Sequence, residues 1–166
     1  MNGVQKGKAP LKQGLFLFLV VILTLSTVYF WQVSTSLEYS LTMVNMKTGQ
    51  MIMKVPVLEG ESFQIHYIHS VDRLPVQETF KVNQGNLVLD QVRWMSFGAG
   101  LGYMGQGELK VEGEWIIIEK MNRRLDSLPL RVGTIADHCL VYRGEEYPLR
   151  NYVEGMDLVQ FAIAKD

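Results

Sequence analysis

The chain has 166 residues and a formal net charge of −1, and because Lys6, Lys8 and Lys12 stand without any acid in residues 1–36, the remainder holds 13 bases against 17 acids. That mildly acidic remainder, whose only close basic pair is Arg123-Arg124, argues against nucleic acid as a partner, since neutralising phosphates needs clustered cations. The lone Cys139 cannot close an intramolecular disulfide and reads as a small buried strand residue, while about 130 residues beyond the N-terminal segment suffice for one domain to bury a core without disulfides or metal.

Residues 14–33, GLFLFLVVILTLSTVYFWQV, run for twenty positions without a charge. At 1.5 Å per residue that is about 30 Å of helix, the thickness of a bilayer's hydrocarbon core, and it predicts one transmembrane helix. The three lysines lie on one side and Tyr29, Phe30 and Trp31 at the other end, where amphipathic rings suit the headgroup level. The positive-inside rule then makes residues 1–13 a cytoplasmic tail and residues 37–166 an extracytoplasmic domain, periplasmic or extracellular. A run this long, ending in bulky aromatics, favours a retained single-pass anchor over a cleaved signal peptide.

Beyond Ser36 the pattern changes to short alternating or apolar runs between turn residues. Leu37–Val44 alternates, Lys47–Gln50 reads as a turn, and Gln50–Val57 returns. Ser62–Ser70, Val76–Val82 and Leu87–Met95 follow, the last two separated by Asn83-Gln-Gly-Asn86. Glu108–Glu112 and Trp115–Lys120 flank Gly113, and Leu128–Ile135, Cys139–Tyr142, Tyr147–Arg150 and Leu158–Ala164 complete the series. Many short strands with no amphipathic helix predict an all-β domain, a single small β-sandwich or barrel.

The densest chemistry lies between Gln64 and Phe80. Alternation puts Ile65, Tyr67 and His69 on one face of a strand and His66, Ile68 and Ser70 on the other, which argues against a His66-His69 chelate. On the partner strand Val76, Glu78, Phe80 and Val82 share a face. Matching the apolar faces gives a register with Ile65 opposite Val82, Tyr67 opposite Phe80 and His69 opposite Glu78. An imidazole and a carboxyl would then meet on the apolar side. Three readings stay open for the pair: a structural bond that closes the hairpin, a ligand or partner site at the sheet's rim, or the general acid-base couple of a small hydrolase. Ser70 points away from His69, so a Ser-His nucleophile is geometrically poor.

Gly100-Leu-Gly-Tyr-Met-Gly105 matches a dinucleotide fingerprint only formally, because turn and strand rather than a helix follow it. The bland reading of Gly98–Gly107 is a loop using positive φ, and the functional one a flap over a ligand. Farther on, Arg131 lies between Leu130 and Val132 as either a solvated strand residue or a carboxylate clamp, with His138 nearby at the strand's end. Three histidines without CxxC or HExxH spacing give no expectation of a metal, and no cofactor is expected.

Tyr67-Ile-His-Ser-Val71 with Pro75-Val76 and Glu78, then Gly98-Ala-Gly100, then Leu130-Arg-Val-Gly133 with His138, resemble a bacterial family of small membrane-anchored or exported proteins encoded beside TAXI-type TRAP transporter permeases. The family has no established activity, so the resemblance implies a context. It implies an accessory module at the outer membrane face, contacting a permease or its solute-binding protein and sensing a solute such as a small carboxylate. His69, Ser70, Glu78, Arg131 and His138 are the expected contact residues.

Overall fold

The computed structural model describes residues 11–36, 39–95 and 105–165, and within the N-terminal helix it describes the side chains of residues 14–29. The chain divides into two compact units between Ser36 and Leu37.

The first unit contains one helix, Leu11–Ser36, 26 residues long. Its described side chains are all exposed. The hydroxyls of Thr24, Ser26 and Thr27 donate to the carbonyls of Val21, Leu23 and Thr24 at 2.8–2.9 Å, so the polar atoms inside the apolar run are satisfied by the helix itself. Among the described residues no helix is long and apolar enough to cross a membrane. The side chains of residues 30–33, the far end of the expected span, lie outside the described set.

The second unit is built from strands, as its alternating runs require. They are β1 Tyr39–Asn45, β2 Met51–Val57, β3 Ser62–Ile68, β4 Pro75–Asn83, β5 Asn86–Trp94 and β6 Glu108–Glu112. Then come β7 Trp115–Glu119, β8 Arg123–Leu125, β9 Leu128–Arg131, β10 Cys139–Tyr142, β11 Glu145–Pro148, a 3-10 turn at Leu149–Asn151, and β12 Leu158–Lys165. They form two antiparallel sheets, one ordered β2-β1-β12-β9 and the other β11-β10-β3-β4-β5-β7-β6, with β8 also paired to β5. Leu41, Met43, Val159 and Phe161 from the first sheet share a single core with Phe63, Ile65, Phe80 and Leu140 from the second. Each of these is at most 2% exposed, and the Phe63 and Phe80 rings stack at 5.4 Å.

Three elements differ from the sequence expectation. The short strand β8 was not foreseen, the run from Leu128 stops at Arg131, and the strand placed at Tyr147–Arg150 begins earlier and yields to the 3-10 turn. Strand β5 carries a bulge: Thr79 pairs with Gln91 and Phe80 with Leu89, which leaves Asp90 as an extra residue. The bulge resets the two-residue alternation, so Leu87 and Leu89 before it and Val92 and Trp94 after it are all buried.

The expected opposition of His69 and Glu78 does not form. In the observed register Ile65 faces Glu78, Tyr67 faces Val76 and Ile68 faces Pro75. The cause lies in the connection. The His69 N–H donates to the Leu74 carbonyl at 2.8 Å and the Arg73 N–H to the His69 carbonyl at 2.9 Å, with Arg73 in the left-handed region at φ 55°. The turn therefore closes immediately after Ile68, and His69 belongs to it rather than to the ladder.

Candidate functional site

The turn positions His69 and Ser70. His69 is half-buried, its Nδ1 accepting a long hydrogen bond from the Asp72 N–H at 3.4 Å and lying 4.0 Å from the Asp72 carboxylate. Ser70 is exposed. The hollow among His69, Asp72, Leu74 and Trp94 is too narrow to admit a water-sized sphere. A couple made of His69 and Glu78 thus has neither the contact nor, beside His69, the space that general acid-base work needs.

Glu78 points to the inner face of its sheet, flanked by Ile65 on β3 and Val92 on β5. Its partner is Tyr67, whose hydroxyl donates to Glu78 Oε1 at 3.2 Å. Burial holds the Glu78 carboxyl above its ordinary pKa, against the opposing pull of the Tyr67 hydrogen bond and the Arg123 charge. Burial, together with the neighbouring carboxylate, also raises the Tyr67 phenol.

His138 reaches the same tyrosine from another element. It is 7% exposed, and its ring lies 5.2 Å from that of Tyr67. Its Nδ1 accepts a hydrogen bond from the Gly133 N–H at 3.3 Å, so the neutral ring carries its proton on Nε2. Burial lowers its pKa, with Asp137 acting in the opposite sense. Tyr67 is therefore the shared contact of Glu78 and His138. The alternation in Gln64–Phe80 had already put Tyr67 and Glu78 on the inner face; what sequence could not supply was the arrival of His138, from a distant loop, at the same tyrosine.

Arg131 opens elsewhere. A pocket of about 450 Å³ is lined by Met46, Lys47, Arg131, Glu154, Gly155, Met156, Asp157 and Leu158. Arg131 is exposed and donates from Nη1 to the Met156 carbonyl at 2.9 Å. The Met46-Lys47 part of the lining is organised by the adjacent Asn45, which is 7% exposed. Its Oδ1 accepts the N–H groups of Lys47 at 2.9 Å and Thr48 at 3.2 Å, and its amide donates to Asp157 at 3.0 Å. This side-chain turn presents Lys47 to the pocket. Among the described residues neither Arg131 nor Lys47 makes an ion pair. Lys47, Met156 and Asp157 escaped the sequence reading because the β12–β9 and β12–β1 pairings, not chain proximity, bring them to Arg131.

The expected contact residues thus fall in three places: His69 and Ser70 in a turn, Glu78 and His138 around Tyr67, and Arg131 on its own pocket. Among the described residues no three His, Cys, Asp or Glu side chains converge as a metal site would require. All of the glycine fingerprint but Gly105, and most of the flap expected over Gly98–Gly107, lie outside the described residues.

A family model described as "Domain of unknown function (DUF1850)" matches residues 63–149, just over half of the chain. The chain belongs to this family. The DUF1850 match runs from β3 to the 3-10 turn and takes in Tyr67, His69, Ser70, Glu78, Arg131 and His138, while Lys47 and Met156 fall outside it. Neither a curated protein nor a solved structure matches the chain.

Proposed function

We propose that this chain is a membrane-anchored accessory module of a TAXI-type TRAP transporter, whose outer β domain holds a small carboxylate in the Arg131 pocket and contacts the permease or its solute-binding protein. The pocket is the observation that carries the reading. Its volume of about 450 Å³ suits a small organic molecule. Arg131 and Lys47 bring two cations to it without an ion pair among the described residues, alongside the acids Glu154 and Asp157, and Met46, Met156 and Leu158 supply apolar surface beside them. An exposed guanidinium with donors to spare is the natural partner of a carboxylate. The charge-free run at residues 14–33, with lysines on one side, supports the anchor and its orientation.

Calorimetric titration of the full chain in detergent with a panel of mono- and dicarboxylates tests the pocket. At least one should bind, and Arg131→Gln should weaken it by about 10-fold to about 100-fold, the value of one charge-assisted contact. Binding that is unchanged in the variant, or absent across the panel, rejects the site. Co-purification with the neighbouring permease and binding protein, with cross-linking, tests the partner; a stable chain that captures neither rejects it.

A further inference from the structure

The loop between β9 and β10 joins His138 to residues that line the Arg131 pocket. At one end, Nδ1 of buried His138 takes the Gly133 N–H. At the other, Val132 bonds twice to the pocket lining: its N–H donates to the Asp157 carbonyl at 2.9 Å, and its carbonyl accepts the Met156 N–H at 2.7 Å. Thr134 packs its methyl against Gly155, where an added Cβ would come within 2.7 Å of it. Gly133 is itself close-fitted, since a Cβ there would lie 3.1 Å from that of Ala136. The Ala136 carbonyl in turn accepts the Ile68 N–H at 2.7 Å, which ties the loop to β3. One imidazole nitrogen thus holds the middle of a segment whose other contacts reach residues that line the pocket.

We propose that the Val132–His138 loop couples protonation of His138 to the shape of the Arg131 pocket, so that acid loosens the pocket's hold on its ligand. The inference rests on reading that pocket as a ligand site. Protonation turns Nδ1 from an acceptor into a donor that faces the Gly133 N–H, so the hydrogen bond is lost and a charge is created at a 7% exposed position. The groups facing the ring limit the compensation. From β3 comes the Tyr67 ring, from β4 Glu78 behind the Tyr67 hydroxyl, and beside the ring in its own loop Asp137. Asp137 is already paired with Arg150 of the 3-10 turn at 3.2 Å. The loop must give way, and Val132 and Thr134 carry its displacement to Met156, Asp157 and Gly155. By linkage the ligand must also resist protonation of His138.

Heteronuclear NMR of the full chain in detergent tests the coupling without a ligand, with the Glu78→Gln background removing the carboxyl behind Tyr67 from the titration. The Gly133, Gly155 and Met156 amides should shift with the His138 ring, at a midpoint below the ordinary histidine range. His138→Asn, which keeps an acceptor for the Gly133 N–H but does not titrate, should abolish those shifts. In parallel, the affinity of the tightest carboxylate found by calorimetry should fall about fivefold or more between about pH 7.5 and about pH 5 in the parent and stay level in His138→Asn. Pocket amides that ignore the His138 titration overturn the coupling even if carboxylates bind. Coupled amides in a chain that binds no carboxylate at any pH support the coupling and reject the ligand reading instead.

Discussion

Glu78 shows how one residue can be placed against its type. Its carboxyl stands on the inner face in line with Val76 and Phe80, both at most 1% exposed, and its hydrogen bond comes from a tyrosine rather than a cation. A raised folded pKa means the neutral form is the better fit. The acid's contribution is therefore complete below its unfolded pKa and is lost as pH rises through the folded one. Glu78→Gln keeps an acceptor for Tyr67 and cannot ionise, so its melting temperature should exceed the parent's at mildly alkaline pH, the gap narrowing on acidification; thermal melts across pH check this. His138 works in the other direction. Its folded pKa is lowered, so its contribution is complete above the unfolded histidine pKa and is lost as pH falls from there through the lower folded one. Glu78 was legible in sequence as unusual because it stands in an apolar alternation, whereas His138 was read only as a residue at a strand's end beside Arg131. Their common partner was not legible.

At the scale of elements, the strands were readable and their register was not. The expected pairing of β3 with β4 and the observed one differ by an even number of residues, so each puts Ile65, Tyr67, Val76, Glu78 and Phe80 on the same face. Alternation is blind to such a slip. What decides it is the turn, where Arg73 adopts positive φ and His69 bonds to Leu74, neither of which follows from residue types. Strand β8 was missed for a similar reason: with Arg-Arg-Leu as its whole extent, it is held by pairing to β5 and not by its own pattern. The β6–β7 hairpin offers a sharper test of element geometry. Gly107 has φ 79°, and a side chain there would run into the Glu119 carbonyl and lie 3.0 Å from Ile118 Cγ2. Gly107→Ala should cost more than about 1 kcal/mol, measured by denaturant unfolding, because both the backbone conformation and the space forbid a Cβ.

For the molecule as a whole, composition and alternation sufficed to read an all-β domain, because two antiparallel sheets sharing one core leave the signature of strand after strand with one buried face. The pocket was illegible at that level, since it gathers residues 46–47, 131 and 154–158, and only the β1–β12–β9 order brings them together. The proposed anchor also belongs to this scale. The full chain should stay with the membrane pellet after alkaline carbonate extraction, and a chain lacking residues 1–36 should be released. Release of the full chain by carbonate would sink the anchor.

The bulge in β5 sets a condition on chain length. Opposite Asp90, the far edge of β5 is shared by two strands, β7 along Val92–Trp94 and β8 along Leu87–Leu89, and the Met121 N–H from the break between them donates to the Asp90 carbonyl at 2.9 Å. Substituting Asp90 removes an ion pair with Lys81 of 2.6 Å, half of it exposed and of small worth. Deleting it is another matter: half of β5 would turn over, sending either Leu87 and Leu89 or Val92 and Trp94 toward solvent. The side chain at this position is replaceable, whereas the residue count is not.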